Sequence, residues 1–135
     1  MSVIVLSHAN RKLVHDRLAE GVWVVACLCA DWCDVCAAFQ ATFDGLASTH
    51  PEHLFLWIDI EDEADLVGDI DVENFPTLLI ERHGKATFYG TVEPAAGPLG
   101  RLVQARIGGI PSALSVAAPS GRIDLQARLT AAIAG

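Results

Sequence analysis

Basic residues are scarce in this chain. Nine Lys and Arg stand against seventeen Asp and Glu, for a formal net charge of −8. A nucleic-acid surface needs a basic face to neutralise phosphates, so that partner class is disfavoured. An anionic membrane surface is disfavoured for the same reason. Long apolar runs are missing too. The longest, Val22 to Ala30, has nine residues, far below the roughly 20 that a membrane-spanning helix requires. The opening residues MSVIVLSHAN hold no basic start, no sustained apolar stretch and no small-residue cleavage site. Cytoplasmic residence is the resulting expectation. Neither Pro/Gly nor Cys is dense enough to signal a disordered chain or a disulfide scaffold. The 135 residues suffice for one domain with a real core and are too few for two ordinary ones.

The four cysteines are few but not scattered. Cys27, Cys29, Cys33 and Cys36 fall within ten residues. Cytoplasmic thiols are kept reduced, so these need a reason other than structural bridging. The five histidines sit singly among polar or turn positions and receive no role. There is no Gly-rich phosphate loop or nucleotide fingerprint, no internal repeat and no low-complexity segment.

Patterning predicts the elements. Residues 3–6 read as a short strand, and Ser7 can cap a helix over about 8–20, with Ala9, Leu13, Val14 and Leu18 on one face. The continuous apolar run from Val22 to Cys29 reads as a strand covered on both faces. From Cys33 the period changes. Cys36, Phe39, Phe43 and Leu46 share a helical face, and the helix runs to about residue 49. Residues 54–60 form another strand, and an acidic, partly helical stretch follows to about 70. Leu78–Ile80 and Ala86–Tyr89 flank a His83-Gly84 turn. A helix over about 98–107 follows. Leu125, Leu129, Ala132 and Ile133 line one face of a last short helix, beyond a small, loop-like segment from Ile110 to Pro119. That tail is expected to dock on the domain, with partner binding as the alternative. The order β-α-β-α-β-α-β-β-α implies an α/β fold, a central mixed sheet with helices on both faces.

The chemistry is concentrated in Cys33-Asp34-Val35-Cys36. A Cys-x-x-Cys directly after a buried strand and at a helix start reads as a redox motif. Two intervening residues on a first helical turn bring the sulfurs within bridging reach. The helix N-terminus presents unsatisfied N–H groups and a partial positive charge that favour a thiolate at Cys33. Cys36, one turn later, resolves the mixed disulfide.

With Trp32 ahead of the motif, and Phe75-Pro76-Thr77 placed 40 residues after Cys36, the chain resembles the thioredoxin family. Ile58-Asp59 and the His83-Gly84-Lys85 turn match in order and spacing. The resemblance covers about residues 3–107. It implies a thioredoxin-like domain over 1–108 and a C-terminal extension over 109–135. It also implies Cys33 as nucleophile, Cys36 as resolving thiol, a cis Pro76, and Trp32 with Phe75 as an apolar lip for an extended substrate. The activity implied is thiol–disulfide exchange that reduces protein disulfides. The chain has no cofactor site of its own, so an external reductase is the implied recycling partner.

Three departures from the family bear on mechanism. Asp34-Val35 replaces the usual Gly-Pro, and the Asp34 carboxylate opposes a neighbouring thiolate, so a more strongly reducing pair is expected. Cys27 stands where the family usually has a buried Asp, and Phe55 where that Asp's Lys partner lies, so both polar groups are lost together. Cys27 and Cys29 are extra thiols on one strand face. They read as small buried apolar residues, or as a third thiol that pairs with Cys36 or Cys33 under oxidation. Two other function classes compete. One is a four-cysteine metal or iron–sulfur site, whose geometry is poor because two cysteines lie in a rigid strand, so no metal site is assigned. The other is a thioredoxin-fold adaptor or chaperone-like binder that uses Trp32, Phe75 and Pro76. The eight acids between Asp59 and Glu73 read as a solvated face, or as a field that steers basic partners.

Overall fold

The computed structural model describes residues 3–70, 72, 74–107 and 123–134. Five strands form one sheet in the order β1-β3-β2-β4-β5. β1 (Val3–Val5), β3 (Leu54–Asp59) and β2 (Val24–Cys29) run parallel. β4 (Thr77–Arg82) lies antiparallel to β2, and β5 (Lys85–Thr91) antiparallel to β4. The β4–β5 turn has positive φ at both His83 (53°) and Gly84 (72°), the backbone of a two-residue hairpin whose twist matches its strands. The helices are α1 (Arg11–Ala19), α2 (Asp34–Ser48), α3 (Ala64–Val67), α4 (Ala96–Arg106) and α5 (Leu125–Ala134).

Every residue of β2 and of β3 is buried, as continuous apolar strands between two helical layers must be. Alternation along the strands divides the interior in two. Val24, Ala26 and Leu28 pack with Val14 and Leu18 of α1, Leu66 of α3, and Leu125 and Leu129 of α5. Val25, Cys27 and Cys29 pack with Cys36, Phe39 and Phe43 of α2 and with Leu99 and Val103 of α4. Each large apolar side chain so buried contributes about 1.5–3 kcal/mol. The expected α/β architecture is therefore present, with α1, α3 and α5 on one face and α2 and α4 on the other.

Several local expectations change. Ser7 does not cap α1. Its N–H donates to Asn10 Oδ1 at 2.8 Å, and Asn10 Nδ2 donates to the Val5 carbonyl, so residues 7–10 form a turn and the helix begins at Arg11. Leu13 is exposed, whereas Arg11 is buried. Arg11 reaches Glu63 at 2.9 Å and Asp65 at 2.8 Å, an exchange that periodicity alone does not suggest. The acidic stretch is likewise not wholly a solvated face. Asp59 and Glu63 are buried, while Asp71 and Glu73 lie outside the described residues. The segment from Ile110 to Pro119 also lies outside them. Of the expected tail helix, Leu125 and Leu129 are fully buried, whereas Ile133 is exposed. Arg128 ties the helix to Asp69 at 2.6 Å and to the Leu66 carbonyl at 3.0 Å.

Candidate active site

The site forms where β2 ends and α2 begins. Cys33 occupies the N-cap of α2 in extended backbone conformation. Its N–H donates to the Ala30 carbonyl at 3.1 Å, and its own carbonyl accepts from Ala37 at 3.1 Å. The thiol of Cys33 is free and half-buried, at the helix end that carries partial positive charge. Asp34 and Val35 follow on the first helical turn, both exposed.

Asp59, at the end of β3, anchors this loop. Its Oδ2 accepts from the Asp31 N–H at 3.1 Å, and its Oδ1 accepts from the N–H groups of Glu61 and Asp62 at 2.8 and 3.0 Å. One buried carboxylate therefore fixes two loops at the C-terminal edge of the sheet. The spacing of Asp59 matches the family, but spacing alone gives it no role. The available signal was an Asp at a strand end, a residue type that commonly accepts from backbone N–H groups just downstream. Repulsion from Asp59, with a hydrogen bond to it, holds the Asp31 carboxyl above its ordinary range.

Trp32 projects into solvent, 65% exposed. Its ring meets that of Phe75 edge to face, with centroids 5.6 Å apart and planes at 76°. The Phe75–Pro76 peptide bond is cis. The Thr77 hydroxyl donates to the Asn74 carbonyl at 2.6 Å, and Val92 N–H donates to the Pro76 carbonyl at 3.0 Å. Trp32, Phe75 and Pro76 thus come together from two distant segments, as an apolar rim next to the helix start.

The cysteine pairing differs from the motif's spacing. Cys36 is joined to Cys29 in a disulfide with Cα atoms 5.8 Å apart, and Cys33 takes no part in it. The cause is orientation. Cys36 is buried on the inner face of α2, and alternation along β2 turns Cys27 and Cys29 toward that same helix. Cys33 sits at the outer end of the turn. Cys27 Sγ lies 3.7 Å from Cys29 Sγ. A disulfide sulfur carries no proton, so Cys27 is the donor in that contact. Burial pushes the Cys27 thiol far up and keeps it protonated. Phe55 is fully buried and packs on Phe43 with centroids 5.5 Å apart. Cys27 and Phe55, the two departures from the family's buried Asp–Lys pair, are thus both buried and carry no charge.

The thioredoxin family model matches residues 3–98. The chain belongs to the thioredoxin family. It is 38% identical over 67 residues to Thioredoxin-like protein CXXS1 of Oryza sativa subsp. japonica, covering 50% of each chain. It is 33% identical over 57 residues to Thioredoxin-1 of Caenorhabditis elegans, covering 42% of this chain and 50% of that one. The chain spans about half the length of these curated relatives. Among solved structures, the poplar thioredoxin h PtTrxh4 superposes with a TM-score of 0.70 at 20% identity, over 82% of this chain and all of that one. A thioredoxin from Halobacterium salinarum superposes with a TM-score of 0.65 at 19% identity, over 82% of this chain and 95% of that one. These structures establish the thioredoxin fold. Helix α5 lies beyond the matched family segment. No helix among the described residues is long and apolar enough to cross a membrane.

Proposed function

We propose that this protein is a cytoplasmic thiol–disulfide oxidoreductase that reduces protein disulfides, with Cys33 as nucleophile and Cys36 as resolving thiol. The observation that carries the reading is a free, half-exposed Cys33 at a helix N-cap, one turn before a cysteine that is itself in a disulfide. The Cys33 thiolate attacks one sulfur of the substrate disulfide and the other sulfur leaves as a thiolate. The Cys36 thiolate then attacks Cys33 Sγ and the second substrate sulfur leaves. Two electrons have passed to the substrate and the chain holds one disulfide. Trp32, Phe75 and Pro76 receive the apolar flank of the substrate chain, and Asp34 and Val35 sit beside the reacting sulfur, where they modulate it. Recycling falls to an external reductase. A related thioredoxin, thioredoxin f2, has been solved in complex with ferredoxin:thioredoxin reductase.

The test is turnover of a disulfide-bonded protein with a reductant, comparing the native chain with Cys33→Ser. Loss of at least about 100-fold in the variant is expected, because the attacking sulfur is gone. The large exposed surface of Trp32 favours a second reading, an adaptor that binds protein without turnover. Partner binding that survives Cys33→Ser, with no turnover by the native chain, would establish that second reading in place of the first.

A further inference from the structure

We infer that Cys29 is a second, internal resolving thiol, which draws Cys36 into a buried disulfide and releases Cys33 as a free thiol while the chain is still oxidised. The inference rests on the thiol-exchange reading above and adds a step to it. Cys36 is the sulfur common to both partners. It lies one helical turn from Cys33 and is bonded to Cys29 across the interface between α2 and β2. Cys29 and Cys36 are each 1% exposed, whereas Cys33 is half-exposed.

After substrate reduction the chain carries the Cys33–Cys36 bond. The Cys29 thiolate attacks Cys36 Sγ, the Cys29–Cys36 bond forms, the Cys33–Cys36 bond breaks, and Cys33 leaves as a thiolate. The proton lost by Cys29 ends on Cys33 or in water. No electron enters or leaves, so the chain remains oxidised by two electrons and needs no further co-reactant. The direction has a physical basis. The released thiolate is hydrated and lies at the positive end of α2, whereas the reverse step would leave a thiolate in an apolar interior. Cys27, held protonated by burial, donates to Cys29 at 3.7 Å and can steady the Cys29 thiolate as it forms. Cys36 is placed to act first because it shares the first helical turn with Cys33, and Cys29 acts on the product.

The consequence is a change of behaviour with redox state. Reduced, the chain is a dithiol that releases its substrate. Oxidised, it presents only Cys33 to a substrate, Cys27 being buried, and a second attack by Cys33 gives a mixed disulfide that Cys36 can no longer resolve. The stored disulfide also lies beneath the surface, away from a recycling reductase.

The experiment oxidises the full, reduced chain with one equivalent of a disulfide-bonded protein, quenches it in acid, alkylates free thiols and digests with a protease that cuts before Asp. Asp31 and Asp34 then separate Cys29 on residues 16–30, Cys33 on 31–33 and Cys36 on 34–43. The expected result is 16–30 linked to 34–43, with 31–33 alkylated. A Cys27→Ala chain giving the same link assigns it to Cys29. In oxidised Cys29→Ala, alkylation at 31–33 should fall at least about tenfold, as Cys33 stays paired with Cys36. If the oxidised native chain instead carries only the 31–33 to 34–43 link, the internal step is overturned and the reductase reading stands. If the substrate oxidises Cys33→Ser as fast as the native chain, or oxidises neither, the reductase reading is overturned and the internal step with it.

Discussion

Glu81 of β4 caps α5 across 44 residues of sequence, its carboxylate accepting from the backbone N–H of Leu125 at 3.1 Å and from that of Asp124 at 2.9 Å. The first N–H groups of a helix have no partner within it. Here a buried acid from the central sheet supplies one, and its charge complements the helix end. Asp124 adds a second acceptor, with Oδ1 taking the Ala127 N–H at 3.0 Å.

Replacing Glu81 by Ala leaves two N–H groups in a largely dry site without this acceptor. A loss of about 2–4 kcal/mol is expected from hydrogen bonds to a charged group, read as a lower urea midpoint. Glu81→Gln keeps one carbonyl oxygen and should lose roughly half as much. Equal stability of all three chains would show that the contact adds nothing to the docking of α5.

Arg11→Met removes the partner of Glu63, whose side chain is 2% exposed. An isolated buried carboxylate left behind costs about 3–5 kcal/mol. The same substitution changes the acid limb. Hydrogen bonding from Arg11 holds the Asp65 carboxyl down to about 2, from an ordinary value of 3.8. A depressed folded-state value means that this stability is present above pH 3.8 and is lost as the pH falls from there toward 2. Denaturation midpoints across that window should fall less steeply in Arg11→Met than in the native chain.

Asp31→Asn should raise stability at neutral pH. The Asp31 carboxyl is held above its ordinary range, chiefly by repulsion from Asp59, so the ionised form is disfavoured in the folded state. The penalty is present at neutral pH and disappears as Asp31 is protonated. The advantage of Asn over Asp should therefore shrink as the pH falls through the carboxylate range near about 4. A constant advantage across pH 3–7 (about this range) would count against repulsion as the cause.

Trp32→Ala and Phe75→Ala each remove one side of the apolar rim. A ring pair of this kind is worth about 0.5–1.5 kcal/mol beyond its buried area. Turnover of a protein disulfide should fall about 3–10-fold through KM, with alkylation of Cys33 by a small reagent unchanged. A loss in kcat alone would place these rings at the chemical step and not at substrate capture.

Local physics makes much of this protein legible in its sequence. The unbroken apolar run into Cys29 reads as a covered strand, and the change of period at Cys33 marks the helix that follows. His83-Gly84 marked a turn because its conformation is local to two residues. The Cys-x-x-Cys motif was readable for the same reason, since a helix start and its dipole lie within one turn. Three matters were left to tertiary structure. Arg11 went inside and Leu13 outside because Glu63 and Asp65, more than 50 residues away, gave the guanidinium its partners. The tail helix docked because Glu81 and the apolar face of α1 were waiting for it. Cys36 met Cys29 because β2 and α2 lie face to face, a fact about their packing and not about their spacing. Period and turn chemistry act between neighbours in sequence, so sequence alone determined the elements. Partners for charge, caps and sulfur come from distant segments, and only the folded chain decided which of them would meet.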